Sequence, residues 1–213
     1  LFASRPVKSG ERAEEDLLLK SGFPSPRRIR LVLEELGPSF IKLGQLMSTR
    51  ADLFQAEYIE ELIKLQDRVP PIPFGEVKAV IERELRKPLH TVFADFVPDS
   101  LAAASVGQVH RATLYSGEKV AVKVIRPGIE KKIREDIRLM YYLAEKIERT
   151  FELGRILSVT NLVKEFERII FRELDMLIEA GNIEKFAANF VGDDEIYIPK
   201  VYWDRTTKSV LVM

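Results

Sequence analysis

The chain has 213 residues, no cysteine, and 33 basic against 33 acidic side chains, so its formal net charge at neutral pH is zero. This composition excludes disulfides and thiolate metal centres and provides no net field toward nucleic acid, so no nucleic-acid partner is expected. With 46% hydrophobic residues the chain can bury one domain core, or a small lobe plus a helical extension, and no apolar run approaches a bilayer span.

Residues Leu1 to Gly22 are mixed and charged, with a short helical signal over Glu11 to Lys20, and read as a mobile arm. Ser25-Pro26 supplies an N-cap and a first-turn proline. Ile29, Val32, Leu33 and Leu36 then follow at helical spacing until Gly37 stops the helix. Arg27, Arg28 and Arg30 fall mostly on its other side. A second helix is expected from Ser39 to about Leu53, with Phe40, Leu43, Met47, Ala51 and Phe54 on one stripe and Lys42, Gln45, Thr49 and Asp52 on another. Gly44 in its middle costs roughly 1 kcal/mol relative to alanine, which predicts a close neighbour. Helices over Ala56 to Val69 and Phe74 to Lys87 follow, separated by Pro70, Pro71 and Pro73.

From Val92 the pattern turns to strands. Val92 to Val97 alternates weakly and leads into the small-residue loop Ala102, Ala103, Ala104, Ser105, Val106, Gly107, Gln108. Strands over Val106 to Leu114 and Lys119 to Ile125, joined through Tyr115, Ser116, Gly117 and Glu118, make a hairpin. Val120, Val122 and Val124 alternate with Ala121, Lys123 and Ile125, which sets Lys123 among apolar neighbours, where a lone ammonium is costly to desolvate and wants an anion. The Val-Ala-Val-Lys run matches the third-strand lysine motif of protein kinases, whose lysine holds nucleotide phosphates and pairs with a helix glutamate. Small side chains in the preceding loop let backbone N–H groups approach phosphate oxygens, although alanine is stiffer there than glycine.

A long helix is expected over Ile129 to Phe151, then a loop over Leu153 to Ser158, then one helical stretch from Asn161 to Phe190. Asp175, Glu179 and Asn182 recur at i, i+4 and i+7 on that stretch, with Glu173 half a turn earlier, and Gly181 suggests close packing or a kink. Ile196 to Trp203 and Lys208 to Met213 read as the fourth and fifth strands. His90 and His110 have no second ligand at metal spacing and read as structural. Leu1 in place of methionine and an uncapped last strand read as cut ends.

Three separated motifs occur in one order: Lys42-Leu43-Gly44-Gln45 as K-x-G-Q, the alanine-rich loop from Ala102 to Gln108, and Glu173-Leu174-Asp175 as E-x-D. In these the chain resembles the UbiB family of atypical protein-kinase-like proteins, also called aarF-domain-containing kinases. The resemblance implies an α+β protein-kinase-like small lobe, a five-stranded antiparallel sheet plus a glutamate helix. It places an N-terminal helical extension carrying K-x-G-Q over residues 1–90 and the lobe over 91–213, with an inserted helix at about 129–151 and the large lobe outside the chain.

By family position Glu179 pairs with Lys123, and these two carry the catalytic role. The resemblance further implies that the loop Ala102, Ala103, Ala104, Ser105, Val106, Gly107 and Gln108 binds nucleotide together with Lys123, and that Lys42, Gly44, Gln45, Glu173, Asp175 and Asn182 regulate, with E-x-D expected to meet Lys42 and Gln45. The implied cofactors are ATP or ADP with magnesium, whose ligands and catalytic base are expected beyond residue 213. The implied activity is that of an atypical kinase or ATPase supporting ubiquinone or other isoprenoid-lipid metabolism, cytoplasmic or membrane-associated on the cytoplasmic side. Isoprenoid lipid, lipid-biosynthesis proteins and a membrane surface are the partners implied for parts outside this chain. The alternatives are a nucleotide-sensing scaffold without phosphotransfer, or a helix-rich interaction module in which Lys123 is merely a surface residue.

Overall fold

The computed structural model describes residues 24–66, 69–193 and 195–213; the expected arm over Leu1 to Gly22 lies outside them. The chain divides into two compact units. One comprises the described residues up to Gln66 with Asp136–Phe166, and the other Asp67–Glu135 with Glu167–Met213.

The first unit is helical. It holds α1 (Pro26–Leu36), α2 (Pro38–Ser48), α3 (Ala56–Leu62), most of α6 (Ile129–Thr150), α7 (Glu152–Leu157) and the first half of α8 (Val159–Glu173). Gly37, at φ 101°, turns the chain between α1 and α2 in a conformation that suits glycine. Leu33, Phe40, Leu43, Leu62, Met140, Leu162 and Phe166 are buried.

α2 stops at Ser48 rather than near Leu53. The Ser48 hydroxyl donates to Gln45 O at 2.7 Å and that of Thr49 to Leu46 O at 2.8 Å, so short polar side chains compete with the helix at its end. The expected loop over Leu153 to Ser158 is instead the short helix α7, closed by Ser158 at φ 49°.

In the second unit α4 (Phe74–Leu85), α5 (Leu89–Val92) and α9 (Met176–Asn189) accompany an antiparallel sheet. The strands are β1 (Asp95–Phe96), β2 (Ala102–Ala103), β3 (Gly107–Thr113), β4 (Lys119–Ile125) and β5 (Val210–Val212). Their order is β1-β3-β4-β5, with β2 also paired to β3. The register sets Val109 opposite Lys123 and Lys123 opposite Leu211. Val120, Val122 and Val124 point to one face, where they meet Val77, Val80 and Ile81 of α4, with Phe93, Leu114, Val210 and Val212 in the same core.

The sheet has the expected α+β, kinase-like character, but its strands are distributed differently from the sequence reading. The strand expected over Val92 to Val97 is reduced to β1, and β2 forms within the alanine-rich stretch expected to be a loop; both pair with β3. Residues Ile196 to Trp203 do not form a ladder strand. Pro199 removes a donor from that segment. What remains is a single bond from Tyr202 N to Val212 O at 2.9 Å, followed by a 3-10 turn over Trp203–Arg205.

The expected single helix over Asn161 to Phe190 is two helices. Asp175 leaves helical geometry and caps α9, its side chain accepting from Leu177 N at 3.0 Å. Gly181 marks no close packing: a Cβ built there meets nothing within 4 Å, and α9 continues through it.

Candidate functional site

The site is assembled within the second unit from β4, α9 and the turn before β3. Lys123 lies on the β4 face opposite the valine core and is half-buried. Met176 N donates to Lys208 O at 3.0 Å, which ties the start of α9 next to β5, and the buried Met176 and Ala180 keep that helix against its unit. Glu179 is thereby brought to the lysine. The Lys123 ammonium donates to Glu179 Oε1 at 2.8 Å and Oε2 at 2.7 Å. An ammonium has three N–H donors, so one is left without a partner among the described residues, where an anionic oxygen would be favoured by charge.

Beside Glu179 is a cleft of about 320 Å³ lined by Glu173, Glu179 and Asn182 with Arg172, Ile169 and Ile178. Three of the predicted polar residues therefore converge. Asp175 is not among the lining residues, because its carboxylate is occupied as the α9 cap.

The alanine-rich loop is tightly pinned. Ala102 and Ala103 pair with Val109 and Gln108 as β2. Ala104 N donates to Gly107 O at 2.8 Å, and Arg126 Nε donates to Ala104 O at 2.9 Å while its NH2 group donates to Pro70 O at 2.7 Å. Gly107 is required by close approach, since a Cβ there would lie 2.6 Å from Val124 O. Ser105, Val106 and Gln108 are buried, whereas Ala102 and Ala104 are exposed.

Gln108 is a latch rather than a ligand-facing side chain. Its Oε1 accepts from Ile72 N at 2.7 Å, so its Nε2 must donate, reaching Ile72 O at 3.2 Å and His110 Nε2 at 2.8 Å. His110 Nε2 then accepts, and its Nδ1–H donates to Val97 O at 3.0 Å. His110 is structural, as expected from sequence. The sequence reading missed this latch and the Arg126 brace; the signal for the first was the inward register of Gln108 on a strand that buries alternate residues.

Lys42, Gly44 and Gln45 belong to the helical unit, while Glu173 and Asp175 belong to the sheet unit. Lys42 is half-buried on α2. Gln45 Nε2 donates to Leu65 O at 3.2 Å. Gly44 is explained inside its own unit, because a Cβ there would lie 2.3 Å from Leu65 Cδ1 and 2.8 Å from Leu33 Cδ1.

The ABC1 atypical kinase-like domain matches residues 64–213 of this chain. The chain belongs to the UbiB family. Over 196 residues it is 48% identical to a "Probable protein kinase UbiB" of Marinobacter nauticus, covering 90% of this chain and 36% of that protein. A second UbiB relative, from Pseudomonas fluorescens SBW25, is 46% identical over 186 residues, covering 87% of this chain and 35% of its own length. The chain thus spans about a third of the UbiB relatives it matches. Among solved structures, Rv3197 of Mycobacterium tuberculosis in complex with erythromycin is similar at 27% identity and a TM-score of 0.53, over 96% of this chain and 50% of that one. The kinase-like character of the fold rests on the match to the atypical kinase-like domain.

Among the described residues no group of three or more His, Asp or Glu side chains could hold a metal ion. No helix among them is long and apolar enough to cross a membrane.

Proposed function

We propose that the sheet unit is the nucleotide-binding part of an atypical kinase or ATPase, in which Lys123 holds the phosphates of ATP or ADP and Glu179 orients it. The observation that carries this reading is the two-point ion pair between them, which leaves one ammonium donor without a partner among the described residues. The residues present suit a nucleotide. Lys123 supplies the cation, the small side chains of the exposed Ala102 and Ala104 leave room for phosphate oxygens beside the loop, and the Arg126 brace holds the loop in place.

When bound, the nucleotide supplies the transferable phosphoryl group. The chain's own residues bind and position it, which is the larger part of catalysis in this chemistry. Magnesium ligands, the catalytic base, the phosphoryl acceptor and the link to ubiquinone or other isoprenoid-lipid metabolism belong to the longer protein. Lys42, Gln45, Glu173 and Asn182 are proposed to regulate nucleotide use.

The test is ATP turnover and nucleotide-dependent thermal stabilisation of the full-length protein and its Lys123→Ala variant. Turnover lost in the variant supports the reading. Stabilisation by nucleotide without turnover would instead favour a sensing scaffold, and absence of any nucleotide effect would overturn both.

A further inference from the structure

The helical unit contains a second cavity that the nucleotide reading does not use. α1, α2, α6 and α8 surround a space of about 260 Å³. Among its lining residues Arg28 is the only one that is not apolar; the rest are side chains such as Leu33, Phe40, Met140, Ile147 and Leu162. A void of this size forfeits dispersion contacts along its walls, and water inside it would find almost no polar partner. The cavity therefore suits an apolar occupant.

Its dimensions and its rim narrow the chemistry. The volume exceeds the roughly 150 Å³ that admits benzene and lies just below the roughly 300 Å³ at which drug-sized sites begin, so the guest is slender. Met47 and Met140 in the wall are flexible and adapt to a chain. Arg28, Val32 and Leu36 line the cavity at i, i+4 and i+8 along α1, and all three are exposed, which puts the mouth along that helix with a cation at one end. Arg30 is already held by Glu34 and Glu61, whereas Arg28 makes no ion pair with any described residue. We propose that this cavity binds a single-chain anionic amphiphile, its hydrocarbon tail among the four helices and its acidic head at Arg28.

The test is displacement of anilinonaphthalene sulfonate fluorescence from the full chain by decanoate, decanol or decyltrimethylammonium. Decanoate should bind the parent roughly tenfold more tightly than decanol, one charge-assisted contact. Arg28→Glu, an exposed substitution that leaves the core intact, should abolish that preference without changing decanol binding. Ala144→Phe, which fills the cavity from α6, should abolish binding of both. Equal decanoate affinity in the parent and the Arg28→Glu variant would overturn the proposal, as would absence of displacement. A tenfold gain in probe binding on deleting the residues before Pro24, which include Leu17-Leu18-Leu19, would also overturn it by making that segment the occupant.

Discussion

Lys123 on β4 and Glu179 on α9 are joined through both carboxylate oxygens, at 2.8 and 2.7 Å, although 56 residues separate them. The pair fixes a strand to a helix and at the same time aims an ammonium. Those two consequences can be separated by experiment. Glu179→Gln should cost about 1 kcal/mol of stability, since a partly exposed ion pair is worth less than a buried one, and should weaken nucleotide binding. Exchanging the two residues, as Lys123→Glu with Glu179→Lys, should recover most of the stability and none of the nucleotide binding. Urea unfolding with and without ATP checks both. Recovery of nucleotide binding by the exchange would mean that position on β4 is not what counts.

Two glycines in this unit should respond to substitution with opposite signs. Gly107→Ala forces a Cβ to 2.6 Å from the Val124 carbonyl oxygen, a backbone atom held in the β3/β4 ladder, and should destabilise by about 2 kcal/mol. Gly181→Ala meets nothing within 4 Å and adds a better helix former to α9, so it should stabilise by about 1 kcal/mol. Thermal unfolding of the two variants measures the difference.

The hairpin and its lysine were legible because strict alternation marks a strand and a cation in the alternating set stands out. Glu179 was found through family position, not from its own surroundings, since acidic residues recur on most exposed helix faces. The division at Asp175 was hidden. Leu174 and Met176 are both buried, so the apolar pattern runs on across the cap, and only the capping preference of aspartate marks the boundary. Gln108 was assigned to the ligand by its place in a motif. Its burial follows from strand register, which pairing with β4 decides. The terminal pair of strands was over-read in the same way, because Val201 and Tyr202 have strand character but Pro199 breaks the ladder before them.

Acid should loosen the helical unit through Glu61. Burial is the largest single influence on its carboxyl and pushes it up, but hydrogen bonds from Lys64 and Arg30 outweigh burial and hold it below its ordinary value of 4.5. A carboxyl depressed in the folded state stabilises that state above the ordinary value, and the contribution fades as pH falls through the depressed one. Asp52, lowered by its hydrogen bonds from Arg50, adds in the same direction. The midpoint of thermal unfolding should therefore fall from about pH 4.5 downward. Glu61→Gln should lower stability at neutral pH and flatten that part of the profile. An unchanged acid slope in the variant would remove Glu61 from the account.

Lys42 is proposed to act on nucleotide use without itself belonging to the sheet unit. Lys42→Glu in the full-length protein should change the affinity for magnesium-ATP several-fold, beyond whatever it costs the nucleotide-free protein in thermal stability as a half-buried charge reversal. Gln45→Ala additionally removes the bond to Leu65 O and should lower stability by about 1 kcal/mol. Isothermal titration of both variants separates regulation from packing. An unaltered ATP affinity in the Lys42 variant would leave the K-x-G-Q segment a structural element of its helical unit.

In the proposed nucleotide site the alanine-rich loop is the element expected to set phosphate geometry. Ala102 and Ala103 are committed to β2 and Ala104 to the turn closed by Gly107, so the loop has little freedom to follow a phosphate chain. Glycine at any of the three widens the allowed φ/ψ range at a cost of about 0.5 to 1 kcal/mol. The effect should be graded. Glycine at Ala103, opposite the buried Gln108, should loosen the ladder more than glycine at Ala104, whose carbonyl stays tethered by Arg126. In the full-length protein the ratio of ATP to ADP affinity should shift in each variant, most for Ala103→Gly, and phosphotransfer should rise where the looser loop lets the terminal phosphate align. Paired titrations of ATP and ADP with magnesium measure the ratio. Identical ratios in the parent and all three variants would assign the alanines to packing of the β2/β3 edge, and Lys123 would then be left as the chain's principal phosphate contact.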